Sequence, residues 1–194
     1  MNQYYGINTY HVIPDPNNTY IDHIDCWGKY LSPTKVLIRE VPSNHPQYDE
    51  IESVANYFSE SQNYWGEPWE VFRVWTPNDQ PYTNSLIVNN KVLVPIMNSS
   101  WDDAALDSYE VALPGYEVIG FEGSNFDPWY AEDALHCRTK GIFNQDMIHL
   151  SHKSIRTNEL FTNNIDIEVE IIDYGNNNSE MESVIVYWKY SNND

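Results

Sequence analysis

The sequence predicts an α/β fold made of repeated strand–strand–helix–strand (ββαβ) units, followed by a short all-β segment. Segments rich in β-branched residues alternate with two stretches of helical period, and the same order of elements occurs twice. After about residue 150 the pattern changes, because asparagine-rich stretches bracket strands and no helical period is seen. We therefore expect an α/β region over residues 1–150 and the start of an all-β module over residues 151–194.

The first repeat is predicted over residues 21–75. Ile21–Asp25 and Lys35–Val41 have the composition of strands. A helix is predicted over Tyr48–Gln62, because four apolar residues share one face at helical spacing, namely Ile51, Val54, Ala55 and Phe58. Trp69–Trp75 is predicted to be the third strand, since it is rich in aromatic and β-branched residues and ends before Pro77.

The second repeat is predicted over residues 84–121. Asn84–Val88 and Lys91–Val94 are expected to form a hairpin, because asparagine tolerates the positive φ of the tight turn between them. Ser100 is predicted to begin a helix, with Asp103 three residues later as an acidic variant of the capping box. Glu117–Phe121 is the last strand of the repeat. The apolar stripe of the predicted helix consists of Ala105, Leu106 and Tyr109.

The two repeats match in spacing as well as in order. Lys91 follows Lys35 by 56 residues, and Trp101 follows Tyr48 by 53 residues. The tail differs, since Ile165–Ile172 and Ser183–Tyr190 are predicted strands with no helix between them. Two strands cannot make a stable sandwich by themselves. The tail is therefore expected to be an incomplete β-sandwich domain or a hairpin packed on the main region.

The composition is that of a globular chain with a strongly acidic balance. The 194 residues include 10 Lys and Arg against 29 Asp and Glu, which gives a formal net charge of −19. Repulsion between like charges argues against nucleic acid and anionic membranes as partners, whereas a cationic ligand, or solubility alone, is compatible with the balance. Met1–Tyr5 lacks the basic region followed by an apolar stretch that is typical of a targeting segment. No apolar run of the sequence is long enough to span a membrane. The protein is expected to be secreted if a signal peptide lies upstream of Met1, and cytoplasmic otherwise.

Two short segments combine groups that are used in acid–base and nucleophilic chemistry. His23 and Asp25 alternate in a predicted strand, which would place both side chains on one side, and a carboxylate beside an imidazole is a usual acid–base pair. Cys137 lies between His136 and Arg138, and nearby cations lower the pKa of a thiol and favour a thiolate nucleophile. A surface histidine and an inert buried cysteine remain the alternatives when each segment is considered alone.

Asn84 is a third candidate, because its amide would hold a polar group of a substrate, although it would also suit a turn. His23, Cys26, His136 and Cys137 are of the residue types that bind zinc. The adjacent pair at 136–137 has poor chelate spacing and no CxxC or HxxxH motif occurs, so no metal is predicted. A Cys26–Cys137 disulfide, which would silence the nucleophile, stays open.

Together these segments resemble the guanidine-modifying enzymes of the pentein superfamily. The motifs that carry the resemblance are His23-x-Asp25, Tyr82-Thr83-Asn84 before an apolar hairpin, and His136-Cys137. Agmatine deiminases of this superfamily typically carry a glycine-rich stretch before the His-Cys pair, which this chain lacks. Three longer segments resemble instead the Porphyromonas-type bacterial peptidylarginine deiminases, namely Asn18–Leu31, Pro114–Gly120 and Asp133–Thr139. The resemblance covers roughly residues 4–140.

The resemblance implies a partial α/β-propeller, because the catalytic domain of this family is a five-bladed pentein fold of ββαβ units with the active site at its centre. Residues 1–150 would be the C-terminal part of that domain, and residues 151–194 the beginning of an immunoglobulin-like domain. The N-terminal half of the family's domain normally supplies another guanidinium-binding aspartate and the arginines that hold a C-terminal substrate carboxylate. No residue of this chain is assigned to those roles.

The resemblance also implies a reaction, the hydrolysis of a peptidyl arginine to citrulline and ammonia. Cys137 would attack the guanidinium carbon, and His23 would protonate the leaving ammonia and then activate water. Asp25 and Asn84 would hold the substrate at the catalytic centre, and Tyr20 would line it. No cofactor is implied, and the expected partner is a peptide or protein that carries arginine.

Two other functions stay open. Deimination of agmatine, a step of putrescine biosynthesis, is one, although the segment around Cys137 argues against it. The other is a truncated chain that binds arginine-like groups without catalysis or has no activity. A half-propeller would expose its sheet edges and lack one carboxylate, which favours that alternative.

Overall fold

The structure is a computed structural model that describes residues 3, 9–17, 23–142, 146–152, 166–175 and 183–185. The chain divides into two compact units, Met1–Thr139 and Lys140–Asp194. Among the described residues, no helix is long and apolar enough to cross a membrane. The six strands described in the first unit form two separate three-stranded sheets, and these described strands do not close into a barrel.

The first sheet has the predicted strand–strand–helix–strand order. Its elements are β1 (Gly28–Ser32), β2 (Lys35–Glu40), α1 (Tyr48–Glu60) and β3 (Glu70–Trp75). Strand β1 pairs antiparallel with β2, and β2 pairs parallel with β3. The predicted strand Ile21–Asp25 is wrong over its described residues, because a 3-10 turn occupies Ile24–Cys26 and the first strand begins only at Gly28.

The second sheet repeats this arrangement. Its elements are β4 (Leu86–Val88), β5 (Lys91–Ile96), α2 (Asp102–Ala112) and β6 (Glu117–Glu122). Strand β4 pairs antiparallel with β5, and β5 pairs parallel with β6. The predicted hairpin turn is confirmed, and Asn89 within it has a φ of 54°.

Helix α2 begins at Asp102, two residues after the predicted Ser100, and its N-cap residue Trp101 makes no side-chain capping hydrogen bond. The predicted pair was Ser100 and Asp103, whereas the backbone N–H of Ser99 donates to Oδ2 of Asp102 at 2.9 Å. The Asp102 carboxylate also accepts a hydrogen bond from the buried hydroxyl of Tyr82 at 2.7 Å. This inward contact fixes the register, because it draws Asp102 into the core and leaves Asp103 exposed.

The two repeats share one apolar core. Strand β2 is buried on both faces, so that Val36 and Ile38 pack in the cluster with α1 whereas Leu37 packs in the cluster with α2. The α2 cluster draws residues from both repeats, which include Leu31, Leu37, Val74, Val92, Val94, Ala105 and Tyr109. Apolar burial of this extent is the main favourable contribution to folding, so the repeats stabilise each other.

The segment that precedes Cys137 packs against the second sheet. Trp129, Ala134 and Leu135 form a small buried cluster, and Leu86 of β4 and Leu93 of β5 pack against it. This apolar contact holds the chain next to the loop that enters β4, and it thereby places Cys137 near Asn84.

The second unit contains the strand pair β7 (Ile148–His152) and β8 (Val169–Asp173), which is antiparallel. Strand β8 overlaps the predicted strand Ile165–Ile172, whereas β7 was not predicted. Most of the predicted strand Ser183–Tyr190 lies outside the described residues, and residues 183–185 are not part of a strand.

Candidate active site

Asn84 is fully buried and both atoms of its amide contact the segment that carries Cys137. Its Oδ1 accepts hydrogen bonds from the backbone N–H groups of His136 at 2.8 Å and Cys137 at 3.2 Å. Its Nδ2 donates to the Cys137 sulfur at 3.0 Å. The turn expected as the alternative for Asn84 is also present, since its backbone N–H donates to the carbonyl of Pro81 at 2.9 Å. The residue therefore shapes the loop and orients the thiol at the same time.

His23 and Asp25 both reach the sulfur of Cys137. The distance from Sγ is 3.4 Å to Oδ2 of Asp25, across 112 residues of sequence, and 4.0 Å to Nδ1 of His23. The predicted convergence is present, but alternation along a strand is not its cause. His23 stands immediately before the 3-10 turn and Asp25 lies within it, so the curvature of that turn brings both groups to the thiol.

His136 faces the same carboxylate. Its Nδ1 lies 2.6 Å from Oδ2 of Asp25, so one carboxylate oxygen lies between an imidazole and a thiol. The His136 side chain is 47% exposed and the Asp25 side chain 15% exposed. The imidazole therefore stands at the solvent side of the carboxylate, where a ligand that binds Asp25 would meet it.

Arg138 turns away from the thiol and holds the loop at residues 127–133. Its guanidinium contacts the carboxylates of Asp127 at 2.6 Å and Asp133 at 2.9 Å. It also lies 5.0 Å from the ring centroid of Trp129, which is a cation–π distance. The carboxylates raise the pKa of Arg138.

The pKa of the Cys137 thiol is raised above its ordinary value. Burial is the largest cause and the Asp25 carboxylate adds to it, whereas the hydrogen bond from Asn84 opposes both. The prediction of a lowered pKa is therefore wrong, because Arg138 is engaged by its own carboxylates and the nearest charged group is an anion. Burial and the Asp25 carboxylate therefore both favour the protonated thiol in the free site.

Two hydrogen bonds join the two repeats beside the site. The ammonium of Lys29 in β1 donates to the backbone carbonyl of Ser85, and the hydroxyl of Thr83 donates to the carbonyl of Asp25 at 3.0 Å. Burial lowers the pKa of Lys29 to about 8, and the negative charges of Asp25 and the Cys137 thiolate oppose that shift. Sequence reasoning missed Lys29. The available signal was a lysine in a short strand directly after the His23–Asp25 motif.

Cys26 and Tyr20 are the remaining residues that the sequence brought into consideration. Cys26 is 2% exposed, and burial raises the pKa of its thiol to about 12. Both Cys26 and Cys137 are free, so the disulfide considered from the sequence is not formed. Tyr20 lies outside the described residues.

Residues 1–142 match the family model of the Porphyromonas-type peptidyl-arginine deiminases. The agmatine deiminase of Medicago truncatula is 23% identical over 155 residues, which are 65% of this chain and 40% of that protein. A candidate arginine deiminase from Porphyromonas gingivalis has a crystal structure that matches with a TM-score of 0.52 and 23% identity, over 59% of this chain and 36% of the other. The crystal structure of a candidate peptidyl-arginine deiminase matches with a TM-score of 0.55 and 20% identity, over 63% and 39% of the two chains.

These matches confirm the α/β class and place the chain beside deiminase structures of the pentein fold. The chain spans only 36% to 40% of the length of these relatives. These similarities therefore concern only part of each relative.

Proposed function

The chain belongs to the Porphyromonas-type peptidyl-arginine deiminase family, and on that premise we propose that it carries the nucleophilic side of an active site that converts peptidyl arginine to citrulline and ammonia. Members of the family are deiminases, which hydrolyse C–N bonds of amidines. The observation that carries the proposal is the convergence of His23, Asp25 and Asn84 on the sulfur of Cys137.

In the first step the Cys137 thiol gives its proton to solvent as the substrate binds, and the thiolate attacks the guanidinium carbon of arginine to form a C–S bond. The C–N bond to a terminal nitrogen then breaks, and His23 gives that nitrogen the proton with which it leaves as ammonia. Asp25 holds the remaining guanidinium nitrogens through charge-assisted hydrogen bonds. The product of this step is a thiouronium bound to Cys137.

In the second step His23 removes a proton from water, and the oxygen attacks the thiouronium carbon. The C–S bond breaks, the Cys137 thiolate leaves, and the new hydroxyl gives its proton to solvent, so that the substrate carries a carbonyl where the ammonia was lost. Two features support these roles. His23 is exposed, so it has access to water. The Nδ2 of Asn84 donates a hydrogen bond to the Cys137 sulfur and would hold it in place in both steps.

A cationic substrate would itself activate the thiol. Burial and Asp25 raise the pKa of Cys137 in the free site. A guanidinium placed against Asp25 neutralises the carboxylate and puts a positive charge beside the sulfur, and both effects lower the pKa of the thiol. The free chain would therefore hold a weakly reactive thiol that becomes nucleophilic when the substrate binds.

Agmatine is the second candidate substrate, because the chain is related to a Medicago truncatula agmatine deiminase. The family model over residues 1–142 favours peptidyl arginine. We also infer that residues 1–150 are the C-terminal part of a pentein propeller and that residues 151–194 begin an immunoglobulin-like domain. The recurrence of the antiparallel and parallel strand pairs in both repeats supports the propeller.

The first test is citrulline formation by the chain from a peptide with a C-terminal arginine, compared with agmatine. The proposal expects activity to disappear in Cys137→Ala and to persist in Cys26→Ser, whose thiol lies outside the reaction. Turnover that is unchanged in Cys137→Ala would exclude this mechanism.

The second test does not need turnover. An alkylating chloroacetamidine, which is cationic, is compared with the neutral chloroacetamide in its rate of reaction with Cys137. Recognition of an amidinium by Asp25 should favour the cationic reagent, and Asp25→Asn should reduce that preference by about tenfold or more, or about 1.4 kcal/mol. Equal preference in the wild type and Asp25→Asn would remove Asp25 from substrate binding. Amidinium recognition without citrulline formation would favour the non-catalytic alternative.

A further inference from the structure

We propose that His23, Asp25 and Cys137 form a binding site for a thiophilic divalent cation, with Zn²⁺ as the best fit, and that the bound ion closes the site to a guanidinium. One ligand atom from each of the three residues lies within 4.8 Å of the others. The site uses the residues of the proposed reaction, but its existence depends on their geometry and not on turnover.

One of the distances between ligand atoms already suits tetrahedral coordination. Zinc bonds of about 2.0–2.3 Å at tetrahedral angles place the ligand atoms about 3.3–3.6 Å from one another. The Cys137 sulfur lies 3.4 Å from Oδ2 of Asp25, which is within that range, and 4.0 Å from Nδ1 of His23. In the proposed complex the exposed side chain of His23 rotates to bring its imidazole nitrogen nearer to the ion.

Neighbouring groups already orient two of the three ligands. Nδ1 of His136 contacts the Asp25 carboxylate at 2.6 Å, and Nδ2 of Asn84 contacts the Cys137 sulfur at 3.0 Å. Such outer contacts fix the direction of ligand atoms in metal sites and raise the affinity for the ion. The ligand directions are therefore largely set before the ion arrives.

The charges also balance. On binding, the Cys137 thiol gives its proton to solvent, so a thiolate and a carboxylate offset the two positive charges of the ion while His23 binds as a neutral imidazole. Three protein ligands leave a fourth position for water. Sulfur and nitrogen ligands select zinc over magnesium and calcium, which prefer oxygen.

This ligand set differs from the one sought in the sequence. There the candidates included Cys26 and His136, but Cys26 is buried and His136 faces Asp25. Asp25 takes their place because the 3-10 turn carries its carboxylate to the sulfur. Spacing rules for metal motifs do not detect such a site, since its ligands come from segments more than 100 residues apart.

The test measures protection of the thiol in the full chain. Iodoacetamide labelling of Cys137 is followed by mass spectrometry with Zn²⁺, with Mg²⁺ and with Zn²⁺ plus a chelator, and the buried Cys26 serves as the internal reference. Saturating Zn²⁺ is expected to slow the labelling of Cys137 by about tenfold or more, the chelator to restore it, and Mg²⁺ to have no effect. Unchanged labelling in Zn²⁺ would overturn the proposal.

Variants separate this site from other zinc-binding groups. His23→Asn is expected to weaken protection by about tenfold or more. His152→Asn, which removes an exposed histidine of the other unit, should leave protection unchanged. Equal protection in the two variants would also overturn the proposal. Circular dichroism checks that His23→Asn is folded.

Cobalt offers a readout on the unaltered chain. Co²⁺ bound to a thiolate gives a near-ultraviolet charge-transfer absorption, which should appear in the wild type and disappear in Cys137→Ser. Absorption that persists in Cys137→Ser, or none in the wild type, would contradict a thiolate ligand. Loss of zinc binding would leave the proposed deiminase reaction intact, because citrulline formation and amidine labelling are measured without metal.

Discussion

Asn84 controls the thiol more directly than any other described residue. It holds the backbone of residues 136–137 through its oxygen and the sulfur of Cys137 through its nitrogen. Its hydrogen bond is the largest of the contributions that lower the pKa of Cys137. A carboxylate in place of the amide would still accept the hydrogen bonds from the backbone of residues 136–137. It would, however, place an acceptor instead of a donor beside the sulfur.

We therefore expect Asn84→Asp to raise the pKa of the Cys137 thiol further, because an anion would replace the donor at the sulfur. The measurement is the rate of Cys137 alkylation as a function of pH, whose midpoint should move upward. Since a higher pKa leaves less thiolate at a given pH, labelling near neutral pH should slow.

Asn90→Asp is the matched control, because it makes the same charge change in the exposed turn at the other end of β4. Its labelling curve should coincide with that of the wild type. An unshifted curve in Asn84→Asp would show that the amide does not act on the sulfur.

At the scale of single residues, the sequence predicted which side chains meet at the site better than it predicted the contacts that neighbouring residues make. The resemblance singled out His23, Asp25, Asn84 and Cys137, which the fold brings together. The effect assigned to Arg138 was wrong, because proximity in sequence does not show that Asp133 competes for the guanidinium. Lys29 was missed because its partner carbonyl belongs to the other repeat.

Helix α2 shows how tertiary contacts choose between neighbouring residues. Asp102 and Asp103 both lie in its first turn, and local capping rules accept either. Of the two, it is Asp102 that contacts the buried Tyr82 hydroxyl, and this residue is 7% exposed and also accepts a hydrogen bond from the N–H of Ser99. The carboxylate that ties Ser99 to the first turn of α2 is thus also a contact of the core.

Asp102→Ala should lower the free energy of unfolding by about 2–4 kcal/mol, because the backbone N–H of Ser99 and the buried Tyr82 hydroxyl both lose the carboxylate that accepts their hydrogen bonds. Asp103→Ala removes an exposed carboxylate from the same turn and should change it by no more than about 0.5 kcal/mol. Urea unfolding followed by circular dichroism measures both. Equal losses in the two variants would show that the charge in the first turn matters rather than the buried contact.

The sequence predicted those strands whose own residues favour extended structure. Strand β2 (KVLIRE) is rich in β-branched residues and was placed within one residue of its observed end. Strand β1 (GKYLS) contains no β-branched residue, and it forms through antiparallel pairing with β2. That pairing is tertiary information, which a propensity cannot supply.

For the whole molecule, the site lies where the two repeats meet. Asp25 and Lys29 come from the start of the first repeat, whereas Thr83 and Ser85 precede β4 of the second. The core around α2 joins the same repeats. The sequence predicted the repetition, but it could not show that the helix of the second repeat packs on the first sheet, because that contact has no periodic signature.

A chain that ends at residue 142 should keep the fold of the first unit. The two sheets, both helices and the residues of the candidate site lie within Met1–Thr139, which is compact by itself. Thermal unfolding followed by tryptophan fluorescence should give a midpoint within about 4 °C of the full chain, equivalent to about 1 kcal/mol or less. A shortened chain that is unfolded or has a much lower midpoint would show that residues 143–194 are needed for its stability.

The long sequence separation between Asp25 and Cys137 has a consequence for synthesis on the ribosome. The chain delivers the carboxylate first, the Asn84 amide next and the sulfur last, and the core that joins the two repeats is complete in sequence by Leu113. Because synthesis runs from the N-terminus, the Cys137 sulfur is added after all the described residues whose side chains contact it. Before Cys137 is added, the nascent chain therefore carries the Asp25 carboxylate proposed to hold a guanidinium but lacks the proposed nucleophile.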